Sequence, residues 1–190
     1  MTGVRLLSQA IAEGDGISVL AEIVDAAGAV TAQEQGAEGL VVRRAGQGIR
    51  ESTSLPLLAF GRTHEAGDVD ALVLGFAEHG ERLAAVVEAA HGRGLECVIR
   101  VCDEDELEEV LELVDPEILL LSAEDAEDGQ DHLERLLELL PDVPAGKLAI
   151  ADLAAATRDE VLALERAGFD AVVVDRTDVA DLVSGPPPAV

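Results

Sequence analysis

The chain has no tryptophan, no tyrosine and only three phenylalanines in 190 residues. Its core must therefore be aliphatic, built from Leu, Val, Ile and Ala. There are two cysteines, Cys97 and Cys102, five positions apart. That spacing is neither CxxC nor a zinc pattern, so both are expected to be buried thiols. The apolar runs, such as those at 118–121 and 171–174, fall far short of the ~20 residues that cross a bilayer. The first residues carry one arginine and no long apolar stretch, so no signal peptide is expected. A soluble, cytoplasmic protein follows as the expectation.

Basic residues are also scarce. Lys147 is the single lysine, beside twelve arginines, and 13 basic residues face 39 acidic ones for a net charge of −26. Such a surface repels nucleic acid and anionic membranes, and neither is expected as a partner. Two origins of the acidity stay open. One is a coding bias toward Ala, Arg, Gly and Val. The other is adaptation to high salt by a carboxylate shell. Hydrophobic residues make up 48% of the chain and mean hydropathy is +0.23, so the chain is not a disordered acidic tail.

What is present in abundance is the short apolar run. Eight of them occur, at 17–23, 39–43, 57–60, 71–75, 96–101, 118–121, 148–151 and 171–174. They are rich in Val, Ile and Leu and alternate little with polar residues, as strands buried on both faces do. Helical spacing joins the later runs. Leu83, Val86, Val87 and Ala90 predict a helix over 78–93. Asp103 is a candidate N-cap for 103–114, which repeats Leu107, Val110, Leu111 and Val114. Helices are predicted at 131–140 and 157–167, the latter opening on Thr157-Arg158-Asp159-Glu160, a capping-box pattern. Gly94 and Gly168 stand where a left-handed residue ends a helix.

Eight alternations of strand and connection predict an α/β fold, a closed and compact (β/α)8 TIM barrel. Typical barrels have about 250 residues, so this one is small. Its first half is compressed, and the first three helices are expected to be single turns or irregular loops. A flavodoxin-like open sheet is the alternative, but it needs only about five strands. Residues 1–16 are expected to form an N-terminal cap, 17–184 the barrel, and 185–190 a disordered tail containing Pro186, Pro187 and Pro188. Shortened helices would leave strand faces of the first half uncovered at Val41, Leu57 and Leu72. Such a face would invite self-association or a protein partner.

Three blocks carry a family resemblance. The first runs from Ala10 to Ile23, the second from Gly94 through Arg100-Val101-Cys102-Asp103 to Leu107, and the third from Thr157 to Ala171. Together they resemble indole-3-glycerol-phosphate synthase, a (β/α)8-barrel lyase of tryptophan biosynthesis. The resemblance implies a ring closure with loss of CO2 and water, needing a general acid, a base and a phosphate anchor. Most of the family's residues for this are replaced. Phe60 stands where the family has its acidic lysine at the end of the third strand, and Val24 replaces a second lysine. Ala26-Ala27-Gly28 replaces a Ser-Pro-Ser loop, and Arg100 replaces a glutamate. Ser122 and Glu124 stand for Asn and Arg, Leu153-Ala154 for Ser-Gly, and Asp175-Arg176 for Gly-Ser. Glu22 is kept, and Asp152 replaces a glutamate in kind. A carboxylate about 4 Å from a phosphate costs on the order of 4 kcal/mol at an effective dielectric near 20. Loss of the lyase activity is therefore expected.

Counting inward positions from Glu22 places Glu22, Arg100 and Asp152 together at the C-terminal mouth, where barrel active sites lie. Arg43, Arg62, His64, His79, Asp125, Asp175 and Arg176 are expected on the loops around them. Three uses remain open. Arg100 could bridge Glu22 and Asp152 in a structural ion-pair network. Arg100 could instead grip a small carboxylate substrate while Glu22 or Asp152 moves protons. A metal could be held by His64 or His79 with Asp125 or Asp152, although no HxH or HxxxH pair supports it, and neither metal nor cofactor is expected. His91, His132 and the acidic run 104–109 read as solvated surface. The function expected is a non-catalytic binding or assembly barrel. The alternatives are an enzyme on a small carboxylate, or residual lyase activity.

Overall fold

Each of the eight apolar runs forms a strand in the computed structural model, which describes residues 6–14, 16–44, 48–61, 68–123, 131–154 and 156–183. The strands are β1 (Ser18–Glu22), β2 (Gly39–Val42), β3 (Leu57–Phe60), β4 (Ala71–Gly75), β5 (Glu96–Val101), β6 (Ile118–Ser122), β7 (Leu148–Asp152) and β8 (Ala171–Val174). They pair in parallel in sequence order, and β8 returns to β1 through Ser18 opposite Ala171 and Leu20 opposite Val173. The barrel is closed, so no strand edge is left unpaired. The open-sheet alternative is thereby excluded.

Alternation along each strand divides the core into two layers. Leu20, Val41, Leu58, Val73, Val98, Leu120, Ile150 and Val173 fill the barrel interior. Val19, Leu40, Leu57, Leu72, Ile99, Leu119 and Val172 point outward to the helices. Both layers are aliphatic, as the lack of aromatics requires. A first helix, α1 (Leu7–Ala12), joins the inner layer through Leu7 and Ile11 and so closes the N-terminal end of the barrel. Glu96, at the start of β5, holds it there by accepting from the Leu7 amide at 2.6 Å and from the Ser8 amide and hydroxyl. A carboxylate at a helix N-terminus also suits the helix dipole. Gly39 leaves space for Leu20, since a Cβ there would fall 2.8 Å from the Leu20 side chain.

The outer elements are α2 (Ala26–Glu34), α3 (Ile49–Ser52), α4 (Phe76–His79), α5 (Leu83–His91), α6 (Glu104–Leu113), α7 (His132–Leu139) and α8 (Arg158–Ala167). Asp103 caps α6 through the Glu106 amide at 2.8 Å, and Asp131 caps α7 through Leu133. Thr157 and Glu160 form the full capping box of α8, and Gly168 ends that helix at φ 108°. Thr157→Ala is expected to cost about 1 kcal/mol, read as a fall of about 2–4 °C in the thermal midpoint. A fall within error would mean that the box contributes nothing.

Three expectations need correction. The connection after β1 is not a single turn, because α2 has nine residues. Its inward face is Ala29 and Ala32, too small to produce an apolar stripe in the sequence, while Val30 is exposed. The helix predicted over 78–93 is broken. Gly80 adopts φ 52°, a left-handed angle that separates the turn of α4 from α5. Finally, Val41, Leu57 and Leu72 are not exposed, at 0%, 2% and 0% of their surface. Val41 points into the barrel, and Leu57 and Leu72 lie in the outer layer with Ile49 and Leu83.

The single turn of α3 is secured by a polar clamp. Arg50 donates to Asp70 at 2.7 Å and to the carbonyls of Thr53 and Leu55 at 2.8 and 2.9 Å. Asp70 also accepts from the Leu57 amide at 2.8 Å, which ties α3 to the starts of β3 and β4. Asp170 plays a similar part before β8, accepting from the Ala149 amide at 2.8 Å. The positions 62–67 and the tail at 184–190 lie outside the described residues. No helix among the described residues is long and apolar enough to cross a membrane.

Candidate functional site

The C-terminal ends of β1, β2, β3 and β7 bring four side chains together. Glu22 closes β1, Arg43 follows β2, Phe60 closes β3 and Asp152 closes β7. All four continue the inward parity of Leu20, Val41, Leu58 and Ile150. Arg43 donates from Nε to Glu22 at 2.8 Å and from Nη2 to both oxygens of Asp152 at 2.8 and 3.0 Å. Its guanidinium lies 4.1 Å from the centre of the Phe60 ring. A planar cation held edge-on by two carboxylates and face-on by an aromatic ring has little freedom left.

The environment fixes the protonation of Arg43. Burial on its own would lower the guanidinium pKa. That is the largest single effect, but the charges of Asp152 and Glu22 and their hydrogen bonds together exceed it and hold the pKa above its ordinary value. Arg43 therefore cannot act as an acid at neutral pH. Asp152 is the most enclosed partner, with 6% of its side chain exposed, against 24% for Glu22 and 27% for Arg43.

Glu22 and Asp152 thus converge at the mouth, but the residue that joins them among the described residues is Arg43, not Arg100. Arg100 ends beside Gly75 and pairs with Glu78 at 3.5 Å. It keeps the inward parity of Val98 but turns toward the end of β4 and the turn of α4. Parity carried two residues beyond Val41 would have reached Arg43, and parity beyond Leu58 would have reached Phe60.

The positions that the resemblance sets against phosphate loops make contacts of their own. Asp25 accepts from the Gly28 amide at 2.8 Å and so occupies the N-terminus of α2. Val24 is 77% exposed. Leu153 is buried after β7, and Asp175 is exposed after β8. Arg176 pairs with Asp181 at 2.5 Å, and this holds the Asp181 carboxyl below its usual range. Ser122 is buried. Arg62, His64, Glu124 and Asp125 lie outside the described residues. His79 is half-buried in α4, and His91 and His132 are exposed. Among the described residues no group of three His, Cys, Asp or Glu side chains could hold a metal ion. Both cysteines are buried thiols.

No family model matches the chain. Among curated proteins it is similar to the indole-3-glycerol phosphate synthase of Geobacillus sp. (strain WCH70), 28% identical over 103 residues, or 54% of this chain and 40% of that protein. The enzyme of the same name from Variovorax paradoxus (strain S110) is 32% identical over 85 residues, 45% of this chain and 32% of that protein. The chain thus spans well under half the length of these relatives. Among solved structures it superposes on the N-acetylmannosamine-6-phosphate 2-epimerase from Clostridium perfringens with a TM-score of 0.66 at 16% identity, covering 86% of this chain and 87% of that one. Thiamine phosphate pyrophosphorylase from Pyrococcus furiosus gives 0.65 at 16% identity, covering 87% and 90%. At that identity the superpositions establish the barrel fold and nothing finer.

Proposed function

We propose that this barrel, similar over half its length to indole-3-glycerol phosphate synthase, does not catalyse that ring closure and serves as a non-catalytic binding or assembly module. The observation that carries the reading is Arg43, clamped between Glu22 and Asp152 against Phe60. Ring closure calls for a proton donor at the end of β3 in the enzymes it resembles. Phe60 has no proton to give, and the neighbouring guanidinium keeps its own. The two carboxylates that could act as bases are already engaged by Arg43. Anion binding fares no better. Asp25 takes the α2 amide that a phosphate would need, and Asp175 adds a negative charge after β8.

The test is turnover of the carboxyphenylamino-deoxyribulose phosphate substrate, followed by the fluorescence of the indole product. The chain contains neither Trp nor Tyr, so its own emission is weak. No product above a heat-killed control is expected. A second reading, in which the lyase activity survives, draws on the 28% identity over 103 residues. The same assay decides between them.

A further inference from the structure

At the opposite end of the barrel, away from the mouth, a cavity of about 420 Å³ opens between α5, α6 and the start of β5. That volume lies in the range of small-molecule sites. Its wall is apolar, formed by Leu6, Val87, Leu95, Cys97, Val114 and Ile118. Leu6 is 47% exposed, one of the few large apolar side chains left in solvent. The Cys97 thiol is pushed up to about 11 by burial, with Glu96 adding to it. It therefore stays neutral and belongs to the apolar wall.

The charged side chains around this wall are mostly acidic, with the Lys147 ammonium on Asp115 and the Pro116 carbonyl as the nearby cation. Helices α5 and α6 both end at the cavity, at His91 and Leu113, and a helix C-terminus carries a partial negative charge. Helix α6 has no basic residue in its last turn to offset it. Glu96, Asp115 and Glu117 stand at the rim. Two of these are engaged, Glu96 by α1 and Asp115 by Lys147 at 2.5 Å. Glu117 is exposed beside them. His91 is the one basic side chain in the lining.

We propose that this cavity binds a small organic cation with an apolar body, an alkyl- or arylammonium compound, its ammonium toward Glu117 and the C-terminal end of α6. The apolar wall accepts the hydrocarbon. The rim, the helix ends and the net charge of −26 exclude anions of the same shape. This inference is independent of the chemistry at the mouth.

The experiment compares hexylamine, hexanol and hexanoate at about pH 8, where the amine is protonated. Binding is followed by the amide resonances of Val87, Leu95, Cys97 and Ile118 and by the thermal midpoint. Hexylammonium is expected to shift those resonances and raise the midpoint. Hexanol is expected to do so more weakly, and hexanoate not at all. Glu117→Gln is expected to weaken hexylammonium binding about two- to fivefold, the size of an exposed ion pair, and to leave hexanol unchanged. Val87→Trp fills the cavity and is expected to abolish both. Binding of hexanoate as tightly as hexylammonium would overturn the proposal. So would an absence of shifts at those four residues, or an unchanged hexylammonium affinity in Glu117→Gln, a surface substitution that does not depend on core repacking.

Discussion

Arg43→Ala is expected to destabilise the protein by about 2–3 kcal/mol. In a chain of this size that lowers the thermal midpoint by about 5–10 °C. The deletion removes the cation that Glu22 and Asp152 share. Removing one partner of a fully buried network costs about 3–5 kcal/mol, and the value here is smaller because Arg43 and Glu22 are about a quarter exposed. The loss of packing on Phe60 adds to it. Arg43→Lys is expected to recover only part, since an ammonium cannot span Glu22 and both oxygens of Asp152 in one plane. Adding Asp152→Asn to Arg43→Ala should return some stability by removing one of the two carboxylate charges. Calorimetry on the four proteins measures this. The raised pKa of Arg43 contributes stability that is fully present below its unfolded value and is lost only as pH rises through the still higher folded value. Deprotonation of Arg43 therefore does not alter the deficit across neutral pH. A loss below about 0.5 kcal/mol, the scale of ordinary surface substitutions, would contradict the cluster.

Leu72→Ala is expected to cost about 3 kcal/mol, within the range of about 2–5 for a buried leucine. Had the outer face of β4 been bare, the same change would cost about 0.5 kcal/mol or less. The two cases are well separated. Leu72 is fully buried on a strand paired on both sides, in the outer layer with Leu57, Leu74 and Leu83. Its truncation leaves a void, because strand backbones on either side cannot close inward. The urea midpoint should fall while the slope of the transition stays constant. An unchanged midpoint would mean that the compressed half of the barrel leaves this face open.

Much of the fold was legible because strands buried on both faces are written as continuous aliphatic runs. Thr157-Arg158-Asp159-Glu160 and Asp103 marked their helices through local chemistry that needs no tertiary help. The parts that were not legible depend on contacts distant in sequence. Helix α2 hides its inward face in Ala29 and Ala32, which carry little hydrophobic signal. The covering of Leu57 and Leu72 depends on small pieces such as α3, held by Arg50 and Asp70, twenty positions apart. The site divides in the same way. Strand parity brought Glu22 and Asp152 to one mouth. The bridging cation followed from geometry past the end of β2, where Arg43 rather than Arg100 reaches both carboxylates.

In the proposed function the mouth is held by its own side chains and carries no ring-closing chemistry. The most direct test is a single-turnover experiment with the folded protein in molar excess over the carboxyphenylamino-deoxyribulose phosphate substrate, with indole fluorescence followed over hours. A trace that matches the heat-killed control is expected, since neither Phe60 nor Arg43 can supply the proton. A product signal that grows to the full amount of substrate would contradict it, and would place a working acid at a mouth where Arg43, Glu22 and Asp152 hold one another.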